Sequence, residues 1–149
     1  GALVPAHAAR GVATAHLAGR LQAVVVQGRR VLLDVGHNPH GIAVLAASYR
    51  ARWGRCPAAL VALKDDKDAA GVMGPLAALT SRLILCPLPD ASGHPPEVLA
   101  RACPGSGAME IVGSWREGLA LLPAVSPAAP PPLVVGSHHL VGAVLGIAD

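Results

Sequence analysis

Short runs rich in β-branched residues and leucine punctuate this chain, at Ala23–Val26, Arg30–Asp34, Ala58–Leu63, Arg82–Leu85, Met109–Val112 and Leu133–Val135. The first two are joined by Gln27-Gly28-Arg29, a glycine-containing link too short for a crossover, so they read as an antiparallel hairpin. Val31-Leu32-Leu33 is continuously apolar, as expected for a strand covered on both faces. Beyond the hairpin the pattern becomes strand, loop, helix, repeated. The helices are expected from Asn38-Pro39 onward, over Asp68–Leu79, from Pro96 to Ala102, over Ser114–Leu122 and over Ser137–Ile147. A further Ala-rich helix is expected over Pro5–Leu17, with Pro5 in its first turn. Val125–Pro132, rich in Pro and Ala, reads as a semi-rigid surface loop. Alternating β and α units with right-handed crossovers predict an α/β fold. Its sheet should have about six strands, mostly parallel apart from the N-terminal hairpin, with helices on both faces.

Composition narrows the class. With 149 residues the chain holds one domain with a real core. Apolar residues make up 52% and charged ones 14%, which excludes disorder. The net charge of +3 comes from scattered residues, and with two Trp, one Tyr and no Phe there is little to stack bases on. Nucleic acid is not an expected partner. Cys56, Cys86 and Cys103 are odd in number and far apart, so they read as free thiols in a reducing cytoplasm. The uncharged run from Gly118 to Ala148 contains five prolines and two histidines, which breaks any membrane span. The chain opens Gly1-Ala2-Leu3-Val4-Pro5, without an initiator Met or a signal pattern, and is expected to be a soluble piece of something longer.

In an open α/β sheet, ligands collect outside the carboxyl ends of the strands, and three junctions there are polar. Asp34-Val35-Gly36-His37-Asn38-Pro39-His40 places an acid at a strand end, an imidazole in the loop, and Asn38 and Pro39 as N-cap and first residue of a helix whose free N–H groups suit an anion. Asp34 could accept from a ligand hydroxyl or amine, or could simply brace a turn. Lys64-Asp65-Asp66-Lys67-Asp68 carries both lysines of the chain. It is either a solvated turn capped by Asp68 or a source of cations for the same ligand edge. Gly136-Ser137-His138-His139 offers a tight turn, a capping Ser and two imidazoles that would need partners if buried. A metal reading of His37 and His40 finds no Cys or carboxylate at ligand spacing. G-x-x-x-x-G-K-[ST], G-x-G-x-x-G and G-x-S-x-G are all absent, so the chain cannot run nucleotide chemistry alone.

Taken together, the motifs resemble folylpolyglutamate synthase/dihydrofolate synthase of the Mur ligase superfamily. Gly19-Arg20-Leu21-Gln22 resembles its G-R-F-Q, and Asp34-Val35-Gly36-His37-Asn38-Pro39-His40 its D-x-A-H-N-P-H. Leu60–Asp68 resembles its strand ending in D-K-D, and Gly136-Ser137-His138-His139 its C-terminal C-G-S-F-H. All four occur in the family's order. Leu21, Gly36 and His138 depart from the usual Phe, Ala and Phe, and Lys64-Asp65 alters the stretch before D-K-D.

The resemblance implies a linker or N-terminal helix over residues 1–18 and a Rossmann-like Mur-ligase C-terminal domain over 19–149. That domain closes a cleft against an N-terminal ATPase domain of the same polypeptide, which carries the P-loop, the Mg²⁺ ligands and most of the pterin pocket. The activity implied is ATP-dependent addition of L-glutamate to folate or dihydropteroate through an acyl phosphate. Arg20 and Asp34 would meet ATP. His37, Asn38, Lys67, Ser137 and His139 would lie at the cleft near phosphate or glutamate. No metal ligand and no residue catalytic by itself is expected in this chain. Another amino-acid ligase of the superfamily, or a Rossmann-like binding module without catalysis, are the alternatives.

Overall fold

The computed structural model describes residues 20–105 and 107–149. The helix expected over Pro5–Leu17, the 1–18 linker and Gly19 of the first motif lie outside the described residues. Six strands, β1 (Gln22–Val26), β2 (Arg29–Asp34), β3 (Ala59–Val61), β4 (Arg82–Leu85), β5 (Ala108–Ile111) and β6 (Leu133–Val135), form one sheet in the order β1-β2-β6-β3-β4-β5. Among these six strands of the described residues the β1–β2 pairing is antiparallel, and the other four pairings are parallel. The fold is therefore the α/β sheet with an N-terminal hairpin that the apolar runs predict.

Five helices cover this sheet among the described residues: α1 (Pro39–Trp53), α2 (Ala69–Leu79), α3 (Pro96–Arg101), α4 (Trp115–Leu121) and α5 (His138–Leu145). Side chains alternate across a strand, and the two resulting faces build two cores. Leu32, Val61, Leu83, Leu85 and Leu133 face Ile42, Leu45 and Tyr49 of α1, Met73, Leu76 and Leu79 of α2, and Leu99 of α3. Val31, Leu33, Leu60, Ile84 and Val134 face Leu119 of α4 and Leu140, Val141 and Val144 of α5.

Tyr49 is fully buried and donates its hydroxyl to Pro131 O at 2.7 Å, which ties the proline-rich loop before β6 to α1. The strand expected over Ala58–Leu63 is shorter than its apolar run. Pairing ends at Val61, opposite Leu85 and Val135, while Ala62 and Leu63 continue as buried backbone beyond the ladder.

The strand order decides which loops become neighbours. After β3 the chain builds outward through β4 and β5, then returns to lay β6 between β2 and β3. The loops leaving β2, β6 and β3 thus emerge side by side at one edge, where ligands gather in such sheets.

Candidate functional site

Each of the three polar junctions caps a helix as its sequence suggests. Asn38 Oδ1 accepts from Gly41 N at 2.7 Å, Asp68 Oδ1 from Gly71 N at 3.0 Å, and Ser137 Oγ from His139 N at 3.0 Å. Gly136 makes the β6–α5 turn possible. Its φ is +116°, and a Cβ there would stand 2.2 Å from Ala62 O on the neighbouring strand end. Only glycine lets the two backbones pass so closely.

These loops enclose a hollow of about 200 Å³ lined by His37, Lys64, Lys67, Gly136, Ser137, His138 and His139. Both lysines of the chain and three of its seven histidines line this one place, and no carboxylate does. The nearest acids are peripheral: Asp66 lies 3.9 Å from Lys67 Nζ, and Asp90 lies 3.6 Å from His139 Nδ1. Ser137 is buried, and its Oγ, occupied as an acceptor by the cap, keeps its O–H to give. The ring of His37 sits 5.8 Å from that of His138, and its Nδ1 is buried with no protein partner. A buried polar nitrogen without a partner is costly, and here it borders a cationic hollow. Such a surface suits a phosphate or carboxylate.

The hollow brings together His37, Lys67, Ser137 and His139, and with them Lys64 and His138, the other lysine and the other imidazole that the two polar junctions offered. His138 and His139 are exposed, so the helix carries no buried imidazole pair. Asn38 is spent on its cap and does not line the hollow.

Arg20 and Asp34 lie elsewhere. They line a second hollow of about 390 Å³, shared with Leu21 and with Gly41, Val44, Leu45, Ser48 and Arg52 of α1. Arg20 reaches the end of β2, as expected from the hairpin geometry, but it does not join His37 and Ser137 in one pocket. Asp34 is buried, and both its oxygens are held by backbone: Oδ1 accepts from Gly36 N at 2.7 Å and Oδ2 from Leu21 N at 3.2 Å. It braces the turn and leaves only its remaining lone pairs for a ligand. Burial pushes its carboxyl above the ordinary value of 3.8, against the opposing pull of the two N–H groups and the Arg20 charge.

Sequence reasoning missed the β4–α3 loop. Asp90, Ser92 and His94 form a fourth polar βα junction, legible by the same edge rule that singled out the other three. Among the described residues no group of three or more His, Cys, Asp or Glu is placed to hold a metal ion. No described helix is long and apolar enough to cross a membrane.

A model of the family described as "Mur ligase, glutamate ligase domain" matches residues 19–135. The chain belongs to this family. As a Mur ligase glutamate ligase domain it is 31% identical over 142 residues to dihydrofolate synthase/folylpolyglutamate synthase of Escherichia coli, covering 93% of this chain and 32% of that protein. Among solved structures it resembles E. coli FolC in complex with DHPP and ADP (28% identity, TM-score 0.72, 87% of this chain and 30% of that one). It also resembles bifunctional folylpolyglutamate synthase/dihydrofolate synthase of Yersinia pestis complexed with AMPPNP and Mn (26%, TM-score 0.65, 86% and 30%). The chain spans about a third of the length of these relatives, and it resembles the C-terminal domain of FolC-type ATP-dependent folate glutamate ligases.

Proposed function

We propose that this chain is the cleft-closing domain of a cytoplasmic ATP-dependent carboxylate–amine ligase that adds L-glutamate to a folate or dihydropteroate carboxylate. The observation that carries the reading is the hollow at the ends of β2, β6 and β3. It gathers two ammonium groups, three imidazoles and a buried hydroxyl around a space with no carboxylate of its own. At about 200 Å³ it falls below the range of roughly 300–1,000 Å³ typical of complete small-molecule sites. It is half a site, and the other half is an N-terminal domain of the same polypeptide carrying the P-loop, the Mg²⁺ ligands and the pterin pocket.

In the ligation, ATP phosphorylates the acceptor carboxylate and the glutamate amine displaces phosphate from the acyl phosphate. Both steps bring anions to the cleft: a phosphoryl group being transferred and the carboxylates of the incoming amino acid. Lys64 and Lys67 neutralise them, and Ser137 O–H and the imidazoles supply directed hydrogen bonds, each charge-assisted bond worth about 1.5–3 kcal/mol. The residues present fit one edge of ATP, because Arg20 offers a guanidinium beside the lone pairs of Asp34. No carboxylate lines the cationic hollow, and this reading assigns the Mg²⁺ ligands to the N-terminal domain.

The test is amino-acid choice by the full-length protein. With ATP and a folate or dihydropteroate acceptor, glutamate should be conjugated and diaminopimelate and alanine should not. Preference for either of the latter would place the protein in another branch of the superfamily.

A further inference from the structure

The β4–α3 loop lies outside the anion hollow yet is fastened to it. Its backbone docks on the β3–α2 loop: Lys64 and Gly93 form an antiparallel bridge, and His94 N donates to Leu63 O at 2.8 Å. The docking is tight, since a Cβ at Gly93 would stand 2.7 Å from Leu63 O and 2.9 Å from Leu88 Cγ. His94 then reaches across the turn with its ring, placing Nε2 2.9 Å from Lys67 O. A carbonyl oxygen only accepts, so Nε2 carries the proton and donates. The same turn is closed from within by Lys67 N donating to Lys64 O at 3.1 Å. One imidazole thus holds the segment that carries both lysines of the hollow.

The loop also touches the opposite wall. Asp90 Oδ1 accepts from Ser92 N at 3.1 Å and from Ser92 Oγ at 2.6 Å, and this fixes the carboxylate with Oδ2 3.6 Å from His139 Nδ1. Neither Asp90 nor His94 lines the hollow itself, so their effect passes through the residues they hold.

We propose that His94 is a positioning residue, which fixes the Lys64–Lys67 turn through Lys67 O so that both ammonium groups face the anion hollow. The assignment rests on reading that hollow as an anion site. Without the bond the turn keeps its internal Lys67–Lys64 contact but loses its outside anchor. The lysines then spend time in orientations that do not meet the anion, and affinity falls by the fraction of time lost.

The test is titration of the ¹⁵N-labelled 149-residue chain with inorganic phosphate, followed by NMR at the amides of His37, Lys67 and Ser137. Wild type should show saturable shifts there, and Lys67→Met should weaken them strongly. His94→Ala should raise the apparent Kd roughly fivefold, the equivalent of one hydrogen bond of about 1 kcal/mol. His94→Gln, which keeps an N–H donor at similar reach, should restore binding to within about twofold. A merely structural role would not be rescued in this way. Should the Ala variant fail to fold, the Gln variant still decides, set against His94→Leu, which keeps bulk without a donor and should bind as weakly as Ala is expected to. If wild type and Lys67→Met behave as stated but a folded Ala or Leu variant binds phosphate like wild type, the positioning role is overturned and the anion site stands. If wild type itself shows no shifts at these amides, both are overturned.

Discussion

Gly136→Ala is the substitution that most directly probes how β6 delivers Ser137 to the cleft. The added methyl would sit 2.2 Å from Ala62 O and 3.2 Å from its carbonyl carbon. Real Cβ contacts do not fall below 3.0 Å, so one backbone must shift by nearly an ångström. The φ of +116° adds a conformation that a residue with a Cβ avoids. A strained backbone residue costs about 1–3 kcal/mol and an overpacked interior about 1–3 kcal/mol more. A combined loss of roughly 2–6 kcal/mol is a large part of the 5–15 kcal/mol that a domain commonly holds. Gly142→Ala in the middle of α5 is the control, because nothing lies within 4 Å of its would-be Cβ. There the exchange should stabilise by about 0.5–1 kcal/mol through helix propensity. Urea unfolding of the two variants beside wild type measures both. A Gly136→Ala midpoint matching wild type would show that the turn accommodates a Cβ, and so would equal effects at the two glycines.

Buried titratable groups give two further expected outcomes. Asp34→Ala strips the acceptor from Leu21 N and Gly36 N, and should destabilise by about 1–3 kcal/mol. Because the folded carboxyl titrates above its ordinary value, the stability it contributes is full below that ordinary value and declines as pH rises through the folded one. The gap between wild type and Asp34→Ala, read by urea unfolding, should therefore widen on acidification; a gap that narrows would contradict the burial cost. Burial likewise pushes the Cys56 thiol up to about 11 and the Cys86 thiol up to about 12, from an ordinary value of 9.0. The stability of each neutral thiol is full below 9.0 and is lost as pH rises toward the folded value, about 1 kcal/mol each by pH 10. The stability advantage of wild type over Cys86→Ala should shrink by that amount between pH 8 and pH 10, and a constant difference would show the thiol to be less shielded.

Much of the fold was written locally. Leu133–Val135 and Arg82–Leu85 coincide with their strands because short β-branched or leucine runs bounded by turns leave no other reading. The caps at Asn38, Asp68 and Ser137 were legible because a side-chain oxygen ahead of a helix has a near neighbour to accept from. What depended on distant partners was not. That β6 inserts between β2 and β3 is a property of the whole sheet, and it alone brings Ser137 beside His37. Both oxygens of Asp34 are claimed by backbone, one of them from Leu21, 13 residues away, which no local pattern announces. The antiparallel hairpin brings Arg20 to the end of β2, beside the His37 loop, but the pairing could not show that the two residues open into different hollows. The loop of His94 follows the same edge rule as the other three but lacks their second mark, because α3 starts at Pro96 behind Pro95 with no side-chain cap.

On the proposed function, this chain supplies one wall of a glutamate-ligase cleft and an N-terminal P-loop domain completes it. ATP-dependent incorporation of labelled glutamate into a folate or dihydropteroate acceptor, measured for the 149-residue chain and for the full-length protein side by side, tests it most directly. Product and ADP should appear in equal amounts with the full-length protein and not at all with the chain alone. Conjugation by the chain alone, or none by the full-length protein, would contradict it.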